Sequence, residues 1–582
     1  MPSIKPCLPG DSANSAARTA SIKEKRAQIG YDYKMLPKLA LASAPPAKFV
    51  ELSDAYMAER IGETAKFFKN KEMTKARRMF DVVNRMEDFN DYFILPPVIA
   101  PEHAKGKWME DDFFAEQRLS GANPLVLAKL DRDDARAEIL EDMNLDFSVN
   151  SELSRGNIYV CDYTGTDPTY RGPCMVTGGE NNSGKKKWLP KPLSWFRWIE
   201  DDKNKVGGKL VPVAIQLDAS EDPVNYVRKD SRVYTPNEEH EYDWLFAKIC
   251  VQVADSLHHE MGSHLARCHF TMEPIAVCVH RTMAEEHPIA LLLNLHMRFH
   301  IANDSVAAYT LIGPSGNVDD LMPGTLRESM ALLTESYDKW DLIGTNFEND
   351  LFNREVNDDE RLPHYPYRDD GKLIWKIIED WVEKYVNAFY DNDDEVEGDP
   401  ELQAFAKECK DKKEGGRVKG MPETIRSRSM LVEILTSIIF VCGPGHGAIN
   451  FSQYDYMSFV PNMPLAIYED IQLLADQKEP VTEAQLMSIL PDGETAARQL
   501  EIVYNLTAYK FDKFGDYDRT FKEWYGETFE AHFKDYPLVI QGYRQLQVAL
   551  RQSEVEIKKR NAKRPNNYPY MQQSEMLNSI SI

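Results

Sequence analysis

The sequence predicts a mainly α-helical fold with a minor β portion, built around one long central helix. Three observations carry that prediction. In "LIWKIIEDWVEKYVNAFY" the residues Leu373, Ile374, Ile377, Ile378, Trp381, Val382, Tyr385 and Val386 recur at a 3.6-residue period with Lys and Glu between them, which gives a helix one buried face. The segment that begins at Trp244 is largely apolar and free of proline until Pro274, so it reads as a single long buried helix. Strand-like stretches are few and short: "NIYVCDY" at 157–163 alternates, and "KLVPVAIQL" at 209–217 is almost continuously apolar.

Taken in order along the chain, residues 1–30 are rich in Ser, Ala and Lys without apolar periodicity and read as a flexible arm. Residues 31–90 show helical spacing interrupted at "SAPPAK", where paired prolines end any helix; they read as a basic helical extension. Residues 91–582 form the large body, with further helical periodicity at 425–460 and 485–512 and no internal repeat.

Composition narrows the class. Hydrophobic residues at 43% and aromatics at 10% supply an ample core for 582 residues. The eight cysteines contain no C-x-x-C pair, which argues against a zinc ribbon or a disulfide framework and for reduced thiols. The N-terminus lacks an apolar signal-peptide core and the apolar run near residue 440 is short, so the expected location is cytoplasmic, not secreted. A net charge of −24 argues against nucleic acid as a partner. Residues 1–85 nevertheless carry sixteen Lys/Arg against nine Asp/Glu, leaving the remainder near −31. This asymmetry suggests peripheral contact of residues 31–85 with anionic membranes, through "YDYKMLPKLALA" and "AKFFKNKEMTKARRMF", with the basic side chains toward head groups.

The chemistry concentrates in one place. Eight of the thirteen histidines (258, 259, 264, 269, 280, 287, 296 and 300) fall between residues 258 and 300. The stretch "HHEMGSHLARCH" is not the H-E-x-x-H of a zinc protease, because His264 follows His259 by five positions rather than four. Five residues on a regular α-helix separate two side chains by about 140°, whereas a turn widened to i→i+5 bonding aligns them; such π-turns concentrate at functional sites. The long helix is therefore expected to be π-bulged. A second group, His446 and Asn450 in "CGPGHGAINFSQYDY", lies at i,i+4 and shares one helix face. Imidazole and amide donors without thiolate suit iron or manganese better than structural zinc.

These pieces, with the C-terminal "NSISI", resemble the lipoxygenase family, whose metal ligands come from H-[QE]-x-x-x-H-x-x-x-x-H, from H-x-x-x-N-F-x-Q-Y and from the α-carboxylate of a terminal isoleucine. The likeness extends in order through "WMEDDFFAEQRLSGANP" (108–124), "WLFAK" (244–248), "EPIAVCVHRTMAEEHPIALLLNLHMRF" (273–299), "HYPYRDDGKLIWKIIEDWVEKY" (364–385) and "NLTAY" (505–509). It covers about residue 90 to the end and leaves no room for the family's usual N-terminal β-barrel domain.

The resemblance implies a metal held by His264, His269, His446, Asn450 and the Ile582 carboxylate, with His259 in a supporting position. It implies one non-haem iron per chain rather than manganese, since manganese relatives tend to have the first two histidines four apart and a terminal valine. The implied reaction takes a hydrogen from the bis-allylic methylene of a polyunsaturated fatty acid and adds dioxygen, giving a conjugated hydroperoxide. A hydroperoxide isomerase, or a silent lipid-binding relative, is the alternative on the same scaffold.

Leu265, Leu311 and Val503 match positions beside the reactive methylene, and Ala307 matches the alanine associated with S-configured products. Gln453 matches a glutamine that hydrogen-bonds the asparagine ligand. Two departures stand out. Glu260 replaces that glutamine's usual glutamine partner. Met463, in "FVPNMPLAIY", occupies the head-group position where plant members carry an arginine able to pair with the substrate carboxylate.

Overall fold

The central helix is present and changes its hydrogen-bonding pattern part-way along. In the computed structural model, which describes residues 5–34, 36, 38–43, 58–63, 65, 66, 83, 85–92, 106–165, 179–217 and 232–582, it runs as α-helix over Glu241–Leu257, as π-helix over His258–Phe270 and as α-helix again over Thr271–Thr282. Nearly every residue of it is buried. Pro274 brings no N–H to the ladder, and close to it His300 Nε2 lies 3.0 Å from the His269 carbonyl. Gly262 allows the helix Leu326–Lys339 to approach the π-helix closely, because a Cβ there would lie 2.9 Å from Ser336 Oγ.

Around this rod the helix Pro366–Asn387 packs on both Arg428–Phe440 and Pro537–Asn561. The predicted apolar stripe faces inward: Ile374, Ile378, Trp381, Val382, Tyr385 and Val386 are buried, while Lys376 and Glu383 on the opposite side are exposed. The run Arg428–Met457 has the length and hydropathy of a membrane span, but 89% of its most apolar window lies inside the body. It serves here as a core helix that presents His446.

Among the described residues the β portion is a two-stranded sheet, β1 (Tyr31–Asp32) with β2 (Leu41–Ala42), and a five-stranded antiparallel one. The second joins β3 (Ala128–Lys129), β4 (Ile158–Asp162), β5 (Leu193–Glu200), β6 (Gly208–Gln216) and β7 (Val233–Tyr234) in sequence order. Strand alternation splits β4 cleanly: Ile158 and Val160 join a small core with Trp195 and Val213, while Tyr159 and Cys161 join the main one. The two strands expected from the sequence are β4 and β6. The one between them, "LSWFRWIE", follows the same pairing logic through its aromatic residues.

The N-terminal expectations need correction. Residues 15–28, read as part of a flexible arm, form an α-helix capped by the Asn14 side chain, which accepts from the Ala17 amide at 3.0 Å. It docks through charge: Arg18 is 5% exposed and bonds Glu401, and Lys25 donates to the Met283 carbonyl at 2.7 Å. Long basic side chains that cover apolar surface and end on buried acceptors leave no apolar periodicity to read.

Residues 31–42, expected to be helical, instead carry β1 and β2. Leu36, Leu39 and Leu41 are buried in the main core, and Lys38 pairs with Asp338. A helix does occupy residues 58–63 and 65–66, and a 3₁₀ helix spans Met86–Tyr92. Most of the second segment offered for membrane contact, residues 67–80, lies outside the described residues.

Candidate metal centre

Three imidazoles converge inside the body. His264 Nε2 lies 3.2 Å from His269 Nε2 and 3.3 Å from His446 Nε2, and all three residues are at most 3% exposed. The π pitch aligns His264 with His269 five residues on, their ring centroids 4.8 Å apart at 82°. His446 enters from a second π-turn, Val441–Gly445, which contains Pro444. That turn also receives the chain end: a Cβ on Gly443 would meet the Leu577 carbonyl and the Phe514 ring, each at 2.9 Å.

The donor set fits a metal ion. Two nitrogens bound at right angles to an ion about 2.1 Å away stand about 3.0 Å apart, close to the separations found. Protons are poor substitutes for a cation there, since burial pushes the His446 imidazole well down and also lowers His269. The outward nitrogens are fixed so that lone pairs point inward. His264 Nδ1 lies 3.1 Å from Glu260 Oε2, and His269 Nδ1 lies 2.7 Å from Asp304 Oδ1. Carboxylates in these places select the Nδ1–H tautomer and raise the basicity of Nε2.

Both carboxyls are held low despite their burial. Burial alone would raise the Glu260 carboxyl, yet His264 holds it below its ordinary range; His300 and His269 do the same for Asp304. Glu273 behaves oppositely, because burial and the neighbouring Asp304 push its carboxyl well up. Its Oε1 accepts from the Ala42 amide at 2.9 Å, which ties β2 to this network.

The remaining predicted residues fall as follows. Asn450 Oδ1 accepts from Gln453 Nε2 at 2.9 Å, and Asn450 Nδ2 donates to the Leu506 carbonyl at 2.7 Å, so the amide is fixed from two sides. Glu260 and Gln453 share a cavity but no hydrogen bond joins them, Glu260 having turned to His264. His259 is fully buried with Nε2 3.0 Å from the Ile449 carbonyl, a packing role.

The tail Met576–Ile582 is buried throughout, Ile582 at 5% exposure. Asn578 clamps it: its amide donates to the Asp512 carbonyl at 2.8 Å, its Oδ1 accepts from the Gly515 amide at 2.9 Å, and its carbonyl lies 2.8 Å from His296 Nδ1.

A narrow cavity of about 20 Å³ is lined by Leu311, Val503, Val318, Leu321 and Leu465 among others, and by Glu260, the partner of His264. Leu265 is buried beside His264 without lining it, and Ala307 is half-buried one helical turn before Leu311. Met463 is absent from the lining: it is 1% exposed, and its carbonyl accepts from Gln499 Nε2 at 3.0 Å.

Asp304 was missed by sequence reasoning, and His300 was read only as one of the clustered histidines. The available signal was their i,i+4 spacing at the end of the histidine-rich segment.

A family model described as Lipoxygenase matches residues 204–571. The chain belongs to the lipoxygenase family. Lipoxygenases are oxidoreductases that dioxygenate fatty acids at a non-haem metal, and the three converging histidines could hold such a metal.

The allene oxide synthase-lipoxygenase protein of Plexaura homomalla is 30% identical over 472 residues, which cover 76% of this chain and 42% of that protein. The polyunsaturated fatty acid lipoxygenase ALOX12 of Mus musculus is 30% identical over 504 residues, covering 86% and 70%. The hydroperoxide isomerase ALOXE3 of Homo sapiens is 30% identical over 388 residues, covering 65% and 51%. The chain thus spans less than half of the first relative's length.

Among solved lipoxygenase structures, that of a coral 8R-lipoxygenase superposes with a TM-score of 0.83 at 26% identity, over 99% of this chain and 83% of that one. A manganese lipoxygenase shares the fold over the full length of both chains, with a TM-score of 0.76 at 19% identity.

Two buried histidines make the lipoxygenase fold acid-sensitive. Burial pushes His259 and His296 down to about 4, so both are neutral in the fold. Below the ordinary histidine value of about 6.5 the unfolded chain gains a proton at each while the folded chain does not. Stability is therefore expected to fall as pH drops from about 6.5 to about 4, by up to about 3 kcal/mol per histidine. Denaturant unfolding at pH 7 and pH 5 checks this; equal midpoints would contradict it.

Proposed function

We propose that this chain is an iron-dependent lipoxygenase that converts polyunsaturated fatty acids to conjugated, mainly S-configured hydroperoxides. The observation that carries the reading is the convergence of three buried Nε2 atoms. In this reading His264, His269, His446, Asn450 and the Ile582 carboxylate hold the metal. Asn450 Oδ1 keeps a lone pair free after accepting from Gln453, and a carboxylate at a residue as buried as Ile582 needs a cationic partner. Iron bound there would supply the one-electron oxidation that removes a bis-allylic hydrogen.

The protein's own part is positional. Leu311 and Val503 press the acyl chain into one path and exclude water, while Glu260 and Asp304 hold the Nδ1 protons of two ligand histidines. Absorbance of conjugated diene, with linoleate under air, tests the activity. It rises for a dioxygenase, whereas a hydroperoxide isomerase, the reading favoured by the likeness to ALOXE3, consumes added hydroperoxide without producing diene.

Ala307 is proposed to steer dioxygen. It shares a helix face with Leu311 at i,i+4, and Leu311 lines the cavity. Its methyl group shields one end of the pentadienyl radical, so the expected product is S-configured. Ala307→Gly is expected to shift product toward R at the other end of the pentadiene, as read by chiral chromatography. An R product from the unmutated enzyme, or no change in a folded, metal-loaded variant, sinks this role.

A further inference from the structure

The cavity that Leu311 and Val503 line holds about 20 Å³, less than one water molecule's share of the liquid, about 30 Å³. Ligand pockets run to about 300–1,000 Å³. An acyl chain therefore enters only when a wall moves. One wall is Ile502, Val503 and Leu506, on the long helix Gly493–Thr507. Another is Asn317, Val318, Leu321 and Met322, on or just after the five-residue helix Asn317–Leu321. A helix that short keeps its place through contacts with the rest of the protein.

Its polar contacts lie outside the cavity. Lys187 Nζ donates to the Asp319 carbonyl and, at 2.7 Å, to the Met322 carbonyl. The Asp320 carboxylate accepts from the Asn182 amide at 2.7 Å and from Arg498 Nη1 at 2.7 Å. The lysine is the unusual member. It is 1% exposed, its amide donates to the Gly179 carbonyl at 2.9 Å, and its ammonium ends on main-chain carbonyls rather than on a carboxylate. Burying a cation in that way costs more than burying a neutral donor. Burial pushes the ammonium down to about 8, against the pull of Asp319, Asp320 and Glu328. The other charged groups about this loop are Arg498 on Asp320, Lys185 on Asp492, and Lys186. Carboxyl, guanidinium and exposed ammonium groups ordinarily titrate well away from 8.

We infer that Lys187 is a positioning residue for the substrate site: its contacts to Asp319 and Met322 hold the wall Asn317–Met322 inward, and an acyl chain binds by displacing that wall. The inference rests on the lipoxygenase reading and adds to it the part of the cavity that yields. Affinity for an acyl chain then depends on how firmly the wall is held, because the open form is a minor state. The hold is firmest while Lys187 is protonated, since charge-assisted hydrogen bonds are about twice as strong as neutral ones.

The test is oleate binding, by calorimetry, to the full-length, metal-loaded protein at pH 7 and pH 9. Oleate has no bis-allylic methylene and is not consumed. At pH 7 Lys187→Met is expected to bind it about tenfold more tightly than the unmutated protein, the scale of a lost charged hydrogen bond. At pH 9 the difference is expected to close to within about threefold, as Lys187 gives up its proton. Comparison within each pH cancels the ionisation of oleate itself. Lys187→Arg stays protonated throughout, so it is expected to match the unmutated protein at pH 7 and to bind several-fold more weakly at pH 9.

A Met variant that binds no more tightly at pH 7, or a ratio equal at both pH values, overturns the inference. Where Lys187→Met does not fold, the Arg comparison decides, and a ratio constant between pH 7 and pH 9 overturns it. A lysine that serves packing alone lowers thermal stability on substitution but leaves these ratios flat. Diene formation from linoleate is measured alongside. Its absence with the oleate pattern present overturns the dioxygenase reading alone, whereas diene with flat oleate ratios overturns the wall alone.

Discussion

Adding one residue after Ile582 is expected to release the metal and cut activity by about 100-fold, the scale on which losing a ligand or its support acts. The tail cannot slide to compensate. Asn578 is fixed to the 512–516 loop and to His296, and Leu577 pairs with Lys513. Only four residues separate this clamp from the chain end, and each further residue adds about 3.5 Å. The turn at Gly443 offers no slack either, since the space that a Cβ would need there is taken by the Leu577 carbonyl. An extended chain that keeps stoichiometric metal and normal activity would exclude the Ile582 carboxylate as a ligand. Deletion of Ile582 should behave as the extension does.

Asp304→Asn is expected to weaken metal retention by about 10- to 100-fold. The asparagine oxygen can still accept the His269 Nδ1 proton that Asp304 Oδ1 now meets at 2.7 Å. What it loses is the negative charge, which makes His269 a stronger donor and also faces His300 Nε2 at 3.0 Å. Helical content by circular dichroism should remain native, and competition against a chelator reads the affinity. Unaltered retention in the folded variant would assign Asp304 to packing alone.

Much of the site was legible because its spacing is chemically unusual. Histidines five apart make no sense on an α-helix, and the π-helix His258–Phe270 is what brings His264 and His269 to 3.2 Å. His446 and Asn450 were readable from one face of one helix. Asp304 was not, because a single acidic residue on an amphipathic helix looks like solvated surface until the fold turns it inward. The N-terminal helix was misread for the related reason that Arg18 and Lys25 are buried through their partners rather than their hydrophobicity. Glu260 was noticed as a departure from the family pattern, but its contact with His264 instead of Gln453 depends on rotamers that spacing does not reveal.

The central claim is that one iron sits among His264, His269, His446, Asn450 and the chain end. Anomalous diffraction from crystals of the purified protein, collected on both sides of the iron and manganese edges, tests it most directly. The account predicts a single peak at the iron edge, about 2.1 Å from the three Nε2 atoms and in contact with Asn450 Oδ1 and an Ile582 carboxylate oxygen. A peak at the manganese edge alone would overturn iron, and a metal bound without Ile582 would contradict the ligand set.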